Sequence, residues 1–144
     1  MSEIIKYLTQ LKEISKGELR EYHEWFLANG KLYNNINKEY SLKLSKYAKI
    51  KRCFDNCIKL TSRYKKLEYI EGYAYNIIPI QHGFMLNRKN EVIDPTLAIL
   101  NRFGSEYFGV LIPQGIISIL RFRAKTFEPL SYVYWRYLKE KNNG

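Results

Sequence analysis

The sequence predicts an α+β fold, and three observations carry that prediction. Apolar residues recur at helical spacing through much of the first 66 positions. Aromatic and β-branched runs, separated by turn residues, occupy 67–112, and helical spacing then returns. The 144 residues, 46% apolar, suffice for a single domain whose core needs no disulfides. No repeat or linker divides it. The expected organisation is a helical N-terminal portion over 1–49, a central core over 50–113 and C-terminal helices over 114–144.

In "SEIIKYLTQLKEI", Ile4, Leu8, Leu11 and Ile14 fall at helical intervals, with Ser2 available as N-cap. "KGELREYHEWFLANG" gathers Leu19, Tyr22, Trp25 and Phe26 on one broad face and stops at Asn29-Gly30. "NKEYSLKLSKYAKI" is rich in helix formers with a shorter pattern. "KRCFDNCIKLTSRY" sets Cys53, Cys57, Leu60 and Tyr64 on one stripe, giving a helix from about Arg52 or Cys53 that ends before Leu67. Four strand candidates follow: "LEYIEGYAY", "IPIQHGFMLN", "EVIDPT" and "YFGVLIP". "QGIISILRFRAK" fits a helix or a strand. "EPLSYVYWRYLKEK" is a clearer helix, with Pro129 suited to N1 and Leu130, Val133, Tyr134 and Tyr137 on one face.

Net charge is +10, and between Lys43 and Lys66 nine basic residues face a single acidic one, Asp55. Such a block suits a solvated face, nucleic acid or an acidic protein surface. No apolar run approaches the ~18 residues of a membrane span, and the N-terminus lacks a signal-peptide pattern, which points to a cytoplasmic protein. Cys53 and Cys57 are too few and too close for a secreted disulfide framework.

"QHGFMLNRKNEVIDPT" places His82 on one strand and Asp94 on the next. A loop of odd length, such as Arg88–Asn90 or Asn87–Lys89, puts them on the same face, with Cβ atoms roughly 4.5–8 Å apart. An even loop puts them on opposite faces. An aspartate holding a histidine fixes its tautomer and supports general-base work, and that base needs a nucleophile. Cys53 is the best candidate, because it opens a helix beside Lys51 and Arg52, where amides and cations favour thiolate. Cys57, one turn deeper, reads as a small packed residue. A zinc site from Cys53, Cys57, His23 and His82 lacks paired ligand spacing, so neither metal nor cofactor is expected. Glu71 reads as a strand carboxylate facing solvent, Asn56 as an ordinary first-turn residue, and Trp25 and Trp135 as core.

The order "CFDNC … LEYIEGYAY … QHGFMLN … NEVIDPT" resembles the transglutaminase-like superfamily within the papain-like cysteine enzymes. The matching positions are Cys53 with Cys57 in the small-residue slot, Gly72-Tyr73-Ala74, His82-Gly83-Phe84 and Asp94-Pro95-Thr96. "CFDN" is also similar to the nucleophile region of arylamine N-acetyltransferases. Gly83-Phe84 stands where the family has Ala-Trp, the cysteine-to-histidine spacing is short, and no tryptophan flanks the cysteine. The resemblance implies a papain-like core with the cysteine helix packed on a small antiparallel sheet. It also implies Cys53 as nucleophile, His82 as base and Asp94 as orienter. The oxyanion would sit on the Cys53 N–H and one upstream donor, for which Tyr47 is a weak candidate. Short relatives of this type point to a bacterial or phage accessory protein.

The expected function is therefore cysteine-dependent acyl transfer, as amide hydrolysis, deamidation or transamidation, on a protein or small-molecule acyl substrate. The alternative is a non-catalytic module that binds nucleic acid or an acidic host protein through the 43–66 block.

Overall fold

The computed structural model describes residues 2–143. Helices α1 (Glu3–Ile14) and α2 (Gly17–Asn29) lead into a short strand β1 (Lys31–Tyr33), helix α3 (Lys38–Ser45) and helix α4 (Cys53–Arg63). Strands β2 (Glu68–Tyr75), β3 (Pro79–Leu86) and β4 (Val92–Ile93) follow, then the four-residue helix α5 (Pro95–Ala98) and strand β5 (Glu106–Ile112). A 3₁₀ turn (Gln114–Ile116), α6 (Ile117–Arg123) and α7 (Leu130–Asn143) end the fold. The strands form one curled sheet in the order β1-β5-β2-β3-β4, each pairing antiparallel. The α+β class is as the sequence predicts. No helix among the described residues is long and apolar enough to cross a membrane.

Strand alternation gives the sheet two different faces. One carries Tyr69, Glu71, Met85, Phe108, Val110 and Ile112, and helices bury it in two clusters. In the first, Cys57 and Leu60 of α4 meet Tyr69, Met85 and Ile112, with Leu130 and Val133 of α7 and Leu120 of α6. In the second, Ile4 and Leu8 of α1 and Tyr22 and Phe26 of α2 meet Phe108, Val110 and Trp135. The opposite face carries Ile70, Ala74, Phe84, Leu86, Val92 and Tyr107, under Tyr33, Ile36 and Leu97. His82 shares this second face.

The ends of the helices bear out several expectations. Ser2 caps α1 by accepting from the Ile5 N–H, and Leu130, Val133, Tyr134 and Tyr137 of α7 all turn inward. Other details differ. Ile14 and Leu19 stay exposed. β1 was not visible in the sequence, because three residues show no period and owe their conformation to pairing with Tyr107–Gly109. The expected strand "EVIDPT" stops after Ile93. Asp94 instead caps α5 with Pro95 at N1, since proline has no N–H for a ladder.

Glu71 is the clearest correction. It is buried rather than solvent-facing: its Oε2 accepts from the Tyr69 hydroxyl at 2.7 Å and its Oε1 from the Ser131 N–H at 2.8 Å. The Ser131 side chain meets the Tyr22 hydroxyl at 2.8 Å, so one carboxylate ties the sheet to the start of α7 and, through it, to α2. Burial raises the Glu71 carboxyl above its ordinary range, against these hydrogen bonds.

Gly72 fixes how closely β2 and β5 approach. A Cβ on Gly72 would overlap the Phe108 carbonyl oxygen and lie 2.5 Å from the Gly109 Cα. Gly72→Ala must part β2 from β5, and overpacking of this kind costs about 1–3 kcal/mol. Urea unfolding should show the lowered midpoint; an unchanged one would mean the strands part freely.

Candidate active site

β4 pairs with β3 only at Leu86 and Met85, so from Pro79 to Phe84 the outer edge of β3 has no strand beside it. The start of α4 lies against this stretch. The Cys57 thiol donates to the Gly83 carbonyl at 3.5 Å. A Cβ on Gly83 would sit 3.0 Å from Phe54 Cδ1 and 3.4 Å from the Cys53 carbonyl oxygen. Glycine in the middle of "HGF" therefore lets the first turn of α4 settle on β3, and brings Cys53 to the neighbouring His82.

Cys53 is the first residue of α4, so its backbone N–H has no partner within the helix. The chain enters through Lys51, in the left-handed region at φ 62°. Asn56 holds this approach in place. Its Oδ1 accepts from the Lys49 N–H at 3.0 Å, and its Nδ2 donates to the Lys49 carbonyl at 2.8 Å and to Thr96 Oγ1 at 2.9 Å. The residue thus joins the loop before the cysteine to the segment that begins at Asp94. Arg52, expected beside the thiol, instead points toward Asp55 at 3.7 Å.

His82 and Asp94 share a face because the hairpin loop is odd. Asn87 donates to Glu91 across Arg88–Asn90, and Asn90 takes φ 60°, which is the three-residue loop with a bulge. His82 Nε2 lies 2.9 Å from Asp94 Oδ2. The same oxygen accepts from the Tyr107 hydroxyl at 2.7 Å, and Tyr107 accepts from the Gly104 N–H at 3.0 Å. Asp94 Oδ1 takes the Leu97 N–H at 3.2 Å, while the Asp94 N–H donates to Ser41 Oγ at 2.9 Å. Asp94 is 0% exposed and His82 3%.

The network assigns the proton positions. Gly104 can only donate, so Tyr107 must spend its single hydrogen on Asp94. The hydrogen in the His82–Asp94 bond then belongs to Nε2. Nδ1 is left free of Asp94, and Cys53 lies close enough to the ring to favour its charged form. Burial alone would push the imidazole down. The Asp94 charge and hydrogen bond, with the Cys53 contact, outweigh it and raise His82 to about 10. Cys57 has the opposite lot: burial, then the charges of Asp94 and Cys53, push its thiol well up.

The structure brings the three sequence candidates together, and of the three only Cys53 is partly exposed. His23 lies elsewhere, packed on Tyr22 in α2. Tyr47 sits beneath the cations of Lys46 and Arg63. It joins Lys49, Arg52, Lys59 and Arg121 in lining a groove of about 520 Å³. Sequence reasoning missed Tyr107 and undervalued Asn56. Neither lies in a motif that names its partner, although strand alternation would have put Tyr107 on the face of His82. Searches against protein-family models, curated proteins and solved structures gave no match.

The raised imidazole sets the sign of a pH effect. Its ordinary value is 6.5 and its folded value about 10, so its contribution to stability is complete below the first and lost as pH climbs through the second. Chemical unfolding across that window should show a loss in the wild type that His82→Gln lacks; parallel curves would contradict the ion pair. Tyr107→Phe strips a donor from Asp94 and leaves the Gly104 N–H unpaired, which should cost about 1–3 kcal/mol. The less neutralised carboxylate should raise the His82 titration further, and ring-carbon NMR shifts would report a fall or no change if that is wrong.

Proposed function

We propose that the chain is a cysteine-dependent acyl-transfer enzyme with a papain-like, transglutaminase-like core. The reading is carried by one arrangement: a dry imidazole bonded to a buried carboxylate at Nε2, with the partly exposed Cys53 close enough to favour its charged form. The resemblance of "CFDN", "QHGF" and "IDPT" to the superfamily motifs supports it independently.

In this reading the proton of the Cys53 thiol already rests on His82 Nδ1, and the resulting imidazolium is stabilised by Asp94. The Cys53 sulfur adds to an amide carbonyl carbon, forming the C–S bond and moving the π pair onto oxygen. The Cys53 N–H, at the positive end of α4, is placed to bind that oxyanion. Collapse re-forms the carbonyl and breaks the C–N bond. The leaving amine takes the proton from Nδ1, and a thioester remains. Water then gives a proton to Nδ1 as its oxygen adds to the carbonyl carbon, the C–S bond breaks, and a carboxylic acid leaves. An amine in place of water gives a new amide.

A second reading rests on the groove lined by Lys49, Arg52, Lys59 and Arg121 around Tyr47. Cations beside an aromatic ring suit a phosphate backbone with stacked bases, in a protein whose thiol does no chemistry. Single-strand affinity that falls steeply with salt and survives Cys53→Ala would favour it.

Iodoacetamide separates the two. Near neutral pH, Cys53 should alkylate on the order of tenfold or more faster than Cys57, because burial denies Cys57 both thiolate and reagent. His82→Ala should remove the advantage and Asp94→Asn should reduce it. Equal and slow labelling of both cysteines, read by peptide mass spectrometry, would overturn the enzyme reading.

A further inference from the structure

A groove of about 450 Å³ lies where α3, the turn before β2 and the β3–β4 hairpin loop meet, and Cys53, His82 and Asp94 are not in its lining. Four cations converge on it from three parts of the chain: Lys43 from α3, Lys66 from the turn, and Arg88 and Lys89 from the loop. Two carboxylates share the lining, and each has its own partner. Glu39 reaches Lys43 at 3.9 Å, and Glu91 accepts from Asn87 Nδ2 at 2.8 Å and Asn37 Nδ2 at 3.3 Å. Lys66, Arg88 and Lys89 join no ion pair among the described residues. In the groove beside Tyr47, by contrast, Asp55 meets both Arg52 and Arg121.

The backbone that carries these cations is fixed. Asn87 Oδ1 accepts the Lys89 N–H at 3.0 Å and the Glu91 N–H at 2.9 Å, and Asn90 closes the loop in the left-handed region. The turn before β2 is held by the Leu67 N–H on the Tyr64 carbonyl at 3.1 Å. Like charges brought together on fixed segments repel, and an anion between them removes that cost.

Shape and valence narrow the choice of anion. The volume falls within the roughly 300–1,000 Å³ of pockets for small molecules. Buried Leu67 and half-buried Tyr40 give the groove an apolar side. A phosphate monoester brings three acceptor oxygens and a charge of about −1.5 to −2, which suits cations arriving from several directions. A carboxylate brings only two oxygens and one charge.

We propose that this groove is a binding site for a small phosphate monoester. Lys66, Arg88 and Lys89 take the phosphate, and Tyr40 and Leu67 take an apolar or aromatic body. The site stands apart from the acyl-transfer reading and does not depend on it.

Titrations of ¹⁵N-labelled protein at constant ionic strength test this with adenosine 5′-phosphate, glucose 6-phosphate, inorganic phosphate and adenosine. Adenosine 5′-phosphate should shift the amide signals of Leu67, Asn87 and Lys89, and should bind on the order of tenfold or more tightly than uncharged adenosine. Inorganic phosphate should compete for the same amides with lower affinity. Glucose 6-phosphate should also bind more weakly, because its polar sugar gains little from Tyr40 and Leu67; equal affinity for the two esters would overturn the assignment of the apolar side. Lys66→Gln and Arg88→Gln, both at exposed side chains, should each weaken adenosine 5′-phosphate on the order of fivefold. Lys141→Gln, at the exposed end of α7, should leave it unchanged. Equal weakening by all three variants would reveal diffuse attraction to a basic surface and overturn the site. Adenosine binding as tightly as its phosphate, or shifts centred on Tyr47 and Lys59, would overturn it as well.

Discussion

A carboxylate with no exposed surface must find its hydrogen bonds inside the protein, and Asp94 finds three donors from three separate parts of the chain. His82 comes from β3, Tyr107 from β5 and the Leu97 N–H from the turn that Asp94 itself begins. Each is needed for a different reason. Without Leu97 the carboxylate would be free to rotate; without Tyr107 it would meet the imidazole with an unshared negative charge. Without His82 it would be a buried ion lacking a counter-charge, which costs far more than a missing neutral hydrogen bond. The rest of the sheet's open face is arranged around keeping this group dry. Phe84 packs on Tyr107 at 5.0 Å between ring centres, and Tyr33 meets Phe84 from above.

The position of the sulfur depends on a second constraint, the close seat of α4 on β3. A helix can lie against the side of a strand only where no further strand pairs and no side chain intervenes. β4 leaves that side open below Met85, and Gly83 removes the side chain. Asn56 then holds the helix start from behind, through the Lys49 backbone and Thr96. An alanine at position 83 would press on Phe54, which lies 3.0 Å from where its Cβ would stand.

What could be read in advance divides by distance along the chain. The Cys53, Cys57, Leu60 stripe, the Leu130 and Val133 face of α7 and the Ser2 cap are local patterns, and each is visible within a few residues. The hairpin register was reduced to a parity question, odd or even, and the left-handed Asn90 answers it as odd. By contrast, Glu71 looks like a solvent-facing acid beside a glycine. Its burial comes from Ser131, sixty residues away, and from a tyrosine whose hydroxyl no pattern assigns. β1 and Tyr107 were hidden for the same reason, since a three-residue strand and a buried hydroxyl acquire meaning only from remote partners. The site was legible as three residues, and its supporting shell was not.

Two cysteines on one helical stripe, a single turn apart, end in different surroundings, and sequence context alone does not separate them. Both belong to the face of α4 that meets the sheet, and both feel Asp94 or its partner. Cys57 is enclosed, with its thiol spent on the Gly83 carbonyl and its ionisation opposed by burial and by two neighbouring negative groups. Cys53 stands where the helix begins, next to an imidazole able to carry a positive charge and at the margin of solvent. A thiolate there gains a cation that a thiolate one turn lower would lack. The difference in surroundings between the two thiols is therefore made largely by His82, whose Nε2 is held by Asp94.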